Sequence, residues 1–308
     1  MTAAAVLPAG VAVLERGWLS SNNVVFTTGV TAVVDTGYVA HAAQTLALVR
    51  NLLGAAPLQL IVSTHLHSDH CGGNATLKAA YPSARTLIPP GHADAVARWD
   101  ESVLTYTATG QSCDRFGFDA LLRPGQDIRL GESAWQVHAA PGHDPHSVIL
   151  FEPASRTLIS ADALWENGFG VVFPELDGEE GFAEVGATLD LIESLAPRTV
   201  IPGHGTPFGG AQVAASLARA RSRLAGQVAH PERHAAHAMK VLIKFKLLEW
   251  QSIAWSDLLG WARSMPYMAR VHRRFASSIA FEEWLQMLTA ELERASAARR
   301  EGAMLYNI

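Results

Sequence analysis

Cysteine is scarce in this chain: two in 308 residues, Cys71 and Cys113, and no CxxC pair. Nothing here demands a disulfide framework or suggests an oxidising compartment. Long apolar runs are also missing. None reaches membrane-spanning length, although 49% of the residues are hydrophobic. Residues 1–10 are apolar and Ala-rich but lack a basic leading region and a full signal core, so the expectation is a cytoplasmic protein with no membrane partner. No internal repeat of fixed period and no low-complexity linker is visible.

What is there is enough chain for one large domain plus an appendage, with a substantial core. Charge is unevenly spread: residues 1–208 hold 10 Lys/Arg against 21 Asp/Glu, and residues 209–308 hold 14 against 8. The texture changes at the same place. Before 209, short β-type runs alternate with helical stretches such as 40–53 and 180–195. After it come mostly helix formers, at 212–227, 232–250 and 281–298, with little strand signal. The expected division is a catalytic domain over 1–208 and a helical domain over 209–308.

The run His65-Leu66-His67-Ser68-Asp69-His70 packs three imidazoles and a carboxylate into six positions. Such a cluster is costly unless a cation neutralises it, and it is neither terminal like a tag nor free of apolar flanks. The apolar run over 58–64 reads as a buried strand, so the cluster sits where a strand ends. His65 and His67 can turn the same way towards one ion, while Asp69 and His70 lie just past them, which splits the ligands between two neighbouring metals. Gly72 and Gly73 let the backbone pass close before a helix over 74–81.

Three further segments have the same character. A strand over 133–139 leads to Pro141-Gly142-His143-Asp144. An apolar strand over 157–161 delivers Asp162, which could bridge two ions. A strand from Thr199 ends in Pro202-Gly203-His204-Gly205. Singly, each is ordinary loop content.

Together, in this order, His65/His67/Asp69/His70, His143, Asp162 and His204 resemble the metallo-β-lactamase fold superfamily, in particular its hydroxyacylglutathione hydrolase-like group. The earliest element is present too, as Thr31-Ala32-Val33-Val34-Asp35. The resemblance implies an α/β (α+β) chain folded as a four-layer αββα sandwich, followed here by a C-terminal helical region. It implies that His65, His67 and His143 hold one metal, that Asp69, His70 and His204 hold the other, and that Asp162 bridges them. Asp35 would orient the ligand loop by hydrogen bonds, a turn cap being its other reading. The commonest true β-lactamases place Cys where this chain has Asp162, which argues against antibiotic hydrolysis.

Seven N/O ligands without a thiolate suit two zinc ions, with iron or manganese as alternatives. Two ions about 3.5–4 Å apart would share a water, lower its pKa towards ~7 and present a bridging hydroxide to a carbonyl or phosphoryl centre. Asp69, as both ligand and proton acceptor, is the expected general base. The leading expectation is therefore a dinuclear zinc hydrolase acting on a small anionic substrate: a thioester such as an acyl-glutathione or acyl-CoA, or a lactone. Competing readings are a mononuclear iron oxidoreductase of the persulfide dioxygenase type and a metal-dependent ribonuclease, although the acidic catalytic part would repel nucleic acid. His146 either lines the pocket or is satisfied structurally. Arg233 and Lys240 in the basic tail either face water or hold an anionic substrate arm. The tail tryptophans read as core or interface, and a homodimer through them is an open expectation.

Overall fold

A computed structural model describes residues 5–308, so the first four residues of the apolar stretch 1–10 lie outside the described part. The chain forms two compact units, residues 1–104 with 113–226, and residues 105–112 with 227–308.

The first unit holds two six-stranded sheets. One runs in sequence order through β1 (Val11–Leu14), β2 (Asn23–Phe26), β3 (Ala32–Val34), β4 (Leu60–Val62), β5 (Arg85–Ile88) and β6 (Ala120–Leu121). From β3 to β6 the pairing is parallel. Parallel neighbours need crossovers, and these contain α1 (Ala42–Leu53), then α2 (Ser68–Cys71) and α3 (Asn74–Ala80), then α4 (Ala93–Arg98) and α5 (Glu101–Leu104). The other sheet is the meander β7 (Asp127–Leu130), β8 (Ser133–Ala139), β9 (Val148–Glu152) and β10 (Thr157–Ala161), joined in parallel to β11 (Thr199–Pro202) and edged by β12 (Phe208–Gly209). With it go α6 (Phe173–Asp177), α7 (Gly181–Leu195) and α8 (Ala211–Ala229).

The central strands are apolar at consecutive positions because both of their faces are covered. Val24, Phe26, Val34 and Val62 face the second sheet and pack with Trp135, Val137, Leu150 and Ile201. Their neighbours Val25, Val33 and Ile61 point the other way, onto Val49 and Leu53 of α1 and Leu77 of α3. Ile149, Phe151, Leu158 and Val200 do the same on the far side, against Val185, Leu189 and Ile192 of α7 and Val213, Leu217 and Ala220 of α8. The result is the αββα arrangement.

The second unit contains α9 (Pro231–Trp250), α10 (Trp255–Ser264), α11 (Pro266–Phe275) and α12 (Phe281–Arg294). They are joined by an antiparallel sheet in which β15 (Met304–Asn307) lies between β13 (Ser252–Ala254) and β14 (Ala298–Glu301). Its core draws on Met239, Ile243, Leu258, Met268, Leu285 and Leu305. Lys246 is almost fully buried, its ammonium paired with Glu249 and lying over the rings of Trp250 and Trp261.

Two expectations are corrected. The division falls at 226/227 instead of 208/209, because the apolar stripe of α8 packs into the second-sheet core of the first unit. The C-terminal part is mostly helical as expected, but the helix read over 281–298 stops at Arg294, and Ala298–Glu301 pairs as β14. Ala-Arg-Arg-Glu favours helix by local propensity, and pairing with β15 overrides it. No helix among the described residues is long and apolar enough to cross a membrane.

Candidate metal centre

Seven side chains from four strand ends converge at one edge of the two sheets. His65 follows β4, and His67, Asp69 and His70 lie in the turn and in α2 just beyond it. His143 follows β8, Asp162 follows β10 and His204 follows β11. The chain is bent to aim two of the acids at this place. Asp35, ending β3, has φ 57°, and Ala161, immediately before Asp162, has φ 44°. A register shift between Ile159 and Ala161 accompanies the second bend. Left-handed backbone at a non-glycine residue is unfavourable, and the packed strands on either side hold it in place.

The imidazoles are oriented from behind. The Asp35 carboxylate accepts the Thr64 amide through Oδ1 (2.8 Å), and through Oδ2 the Thr64 hydroxyl (2.8 Å) and His70 Nδ1 (2.7 Å). Having donated its proton, Thr64 Oγ1 accepts from His65 Nδ1 at 3.1 Å. His143 Nδ1 donates to the Val171 carbonyl at 2.5 Å. Each of these three rings therefore turns its Nε2 towards a common space. His67 turns the other way, its Nδ1 2.8 Å from His143 Nε2 and its Nε2 3.8 Å from Asp144. His204 Nε2 lies 3.2 Å from Asp69 Oδ2, and Asp162 Oδ1 and Oδ2 lie 3.4 Å from His70 Nε2 and His143 Nε2 respectively.

Three ligand groups emerge, with atoms within 4.8 Å of one another in each: His65, His67 and His143; His65, His70 and Asp162; and Asp69, His70 and His204. The fit to cations rests on two orphaned atoms: among the described residues, His65 Nε2 and His70 Nε2 are buried and find no hydrogen-bond partner. Buried polar nitrogens are costly in that state, and a cation satisfies both.

The electrostatics are polarised along the same lines. Burial holds the His65 imidazolium far out of reach, with His70, His67 and His143 adding to the effect. Burial, with His67 beside it, brings His143 down to about 4. Burial opposes charge on His70 too, but Asp162, Asp35 and Asp69 outweigh it and raise its value well above the usual range. Burial works against the Asp162 and Asp69 carboxylates, yet the facing His70 and His204 keep both below the ordinary range.

Aromatic side chains wall the centre. Trp18, 59% exposed, stacks on His204 with ring centroids 5.4 Å apart and meets Trp165 edge-on at 5.5 Å. Trp165 also touches His204 and donates its indole N–H to Asp162 Oδ1 at 3.1 Å. Phe173 meets His67 and His143 on another side, whereas Phe169 is buried in the second-sheet core. Trp18 sits on a fixed loop, since the next turn donates Ser21 N to the Asp69 carbonyl and Asn22 N to the Gly203 carbonyl.

The remaining candidates are not among the seven. His146 packs its ring against His92, and its backbone N–H is held by Asp144. Arg233 and Lys240 belong to the second unit, whereas all seven converging side chains belong to the first. Arg233 is exposed, and Lys240 is paired with Glu291 at 2.6 Å. Sequence reasoning missed Trp18, Thr64 and Asp144; the loop carrying Trp18 has no ligand-type residue to draw attention to it.

The model of the Metallo-beta-lactamase superfamily matches residues 16–204. Acyl-coenzyme A thioesterase MBLAC2 of Homo sapiens is 26% identical over 165 residues, which covers 49% of this chain and 57% of that protein. A hydroxyacylglutathione hydrolase of Francisella tularensis subsp. holarctica is 34% identical over 152 residues, covering 49% of this chain and 48% of its own. The chain thus spans about half the length of these curated relatives. Among solved structures, a metallo-beta-lactamase family protein from Thermus thermophilus superposes with a TM-score of 0.58 at 19% identity, covering 98% of this chain and 100% of that one. That likeness is one of fold.

Proposed function

Because the chain belongs to the metallo-beta-lactamase superfamily, we propose that it is a dinuclear metal-dependent hydrolase acting on a thioester of the acyl-CoA or acyl-glutathione type. The observation that carries this reading is the pair of orphaned Nε2 atoms, on His65 and His70, inside a convergent set of seven N/O donors. His65, His67 and His143 would hold one cation, Asp69, His70 and His204 the other, with Asp162 between them. Zinc suits such donors, and iron or manganese would be accepted by the same set. Names support the substrate class: one relative is called an acyl-coenzyme A thioesterase and another a hydroxyacylglutathione hydrolase.

Bound cations would lower the pKa of a water towards neutrality and polarise the scissile carbonyl. The chain's own part is to supply direction and a proton acceptor. Asp69 is the least buried of the ligand carboxylates and is kept ionised by His70 and His204, so it can take the proton of the attacking water. Asp35 and Thr64 keep His70 and His65 in the tautomer that leaves Nε2 free. The wall formed by Trp18, Trp165 and Phe173 offers apolar surface to the acyl group or its carrier. A cytoplasmic setting belongs to the same reading, supported by two cysteines that are not bonded to each other.

The test is metal content per chain after purification without chelator, together with turnover of thioester and lactone panels. Two zinc ions with thioester turnover support the reading. A single iron, with oxygen consumed on a persulfide, would replace it with an oxidoreductase.

A further inference from the structure

Cys71 and Cys113 are 42 residues apart in sequence, and their Sγ atoms are 3.9 Å apart in space. We propose that this pair is an oxidation site, at which a disulfide oxidant such as oxidised glutathione links Cys71 to Cys113 and disables the adjacent metal centre. The disabling half rests on the hydrolase reading above, whereas formation of the bond does not.

The two thiols differ in a way that suits a two-step exchange. Cys113 is half-buried, in the stretch 111–118 that has no regular secondary structure, and its Sγ also lies 3.7 Å from the carbonyl of its neighbour Asp114. It is the more accessible of the two sulfurs and the one an external oxidant can reach. Cys71 is fully buried at the end of α2, its Sγ directed at the carbonyls of His67 (3.3 Å) and Leu66 (3.6 Å). It is shielded from solvent but not from Cys113.

The exchange balances without any further reactant. The Cys113 thiolate attacks one sulfur of the oxidised glutathione and expels a glutathione thiolate. Cys71 then attacks the Cys113 sulfur of the mixed disulfide and expels the second. Two electrons pass to the oxidant, and the protons of the two thiols end on the two glutathione molecules.

The location gives the bond its effect. α2 is a single turn that carries Asp69 and His70 and is preceded by His67. The backbone of Cys71 also bridges to Gly37, two residues beyond Asp35. A disulfide draws the sulfurs to about 2 Å and tolerates little deviation. It therefore pulls on the end of α2 and removes the S–H group aimed at the His67 and Leu66 carbonyls. The ligand turn is displaced from its seat.

The experiment treats the reduced, zinc-loaded full chain with oxidised glutathione, then maps peptides by mass spectrometry and follows zinc loss to a chelator and thioester hydrolysis in parallel. The expected wild-type result is a linked Cys71–Cys113 peptide pair lighter by two hydrogen atoms. Zinc loss should be about tenfold faster and activity about tenfold lower, with dithiothreitol reversing both. Cys113→Ser, at the half-exposed position, should fold, hold zinc and hydrolyse as wild type, and be indifferent to the oxidant. A stable glutathione adduct on Cys113, or two thiols that still alkylate, overturns the proposal. So does a linked protein with unchanged zinc release. Absence of thioester turnover in the reduced chain would count against the hydrolase reading alone, because linkage and zinc release are read without it.

Discussion

The Asp35 carboxylate and the His70 imidazole meet at 2.7 Å beneath the ligand cluster, with neither group reaching solvent. The contact fixes which nitrogen of His70 faces the site, and through Thr64 the same carboxylate fixes His65. Asp35→Asn keeps the size of the side chain but removes the anion. Metal affinity should fall about 10–100-fold, as is usual when a group orienting a ligand is lost. Titration against a chromophoric chelator measures this. An unchanged affinity would reduce Asp35 to a turn residue.

Removal of metal should abolish hydrolysis, and zinc should restore it. It should also lower the unfolding temperature, since a ligand at a hundred times its Kd stabilises the folded form by about 2.7 kcal/mol. Calorimetry with and without chelator is the check; equal midpoints would mean that the donor set holds no cation.

Trp18 is mostly exposed, so Trp18→Ala should change stability by no more than about 0.5 kcal/mol. Its ring nevertheless covers His204. KM for a long-chain or aromatic acyl thioester should rise about tenfold, the loss of roughly 1.4 kcal/mol of contact, with kcat little altered. Trp18→Phe should recover most of the loss. A fall in kcat with KM constant would instead assign the ring to the support of His204.

Metal-free protein should weaken in mild acid. His143 takes its proton only near pH 4 when folded, against an ordinary value of 6.5. As pH falls from 6.5 towards 4 the unfolded chain binds that proton first, so folded stability declines across the window, by an amount on the order of 3 kcal/mol for this group. Urea unfolding in chelator at pH 7 and pH 4.5 measures the slope. His143→Gln should show a shallower one, with the part due to His65 remaining. Identical slopes would rule out His143 as its source.

Much of this architecture could be read from the chain. The strands that lead to His65, Asp162 and His204 are short apolar runs, the one before His143 ends at a Pro-Gly turn, and histidines at such ends are conspicuous because they serve no packing purpose. Of the four helices of the second unit, α9 and α12 were equally plain from their helix-forming composition, whereas α10 and α11 were not marked out. What escaped was decided by partners distant in sequence. Ala298–Glu301 has helix-forming composition and becomes a strand only beside β15. α8 begins after the change in charge and texture near 209, yet its Val213, Leu217 and Ala220 belong to the earlier core. Trp18 stands in a loop without ligand chemistry, and its stacking on His204 spans nearly the whole first unit in sequence. The approach of Cys71 to Cys113 likewise has no counterpart in spacing.

The route of the chain through 105–112 bears on how far the protein can be cut into parts. These eight residues leave the first unit and return to it, and they belong with a unit otherwise composed of residues 227–308. Tyr106 is almost fully buried, and Gly110 lies against Trp261 and Met265. A polypeptide ended at 226 would therefore strand an aromatic side chain and its turn without their partners, in the same passage that delivers Cys113. The two units are interleaved in sequence, so no uninterrupted segment contains the whole of one unit and nothing of the other.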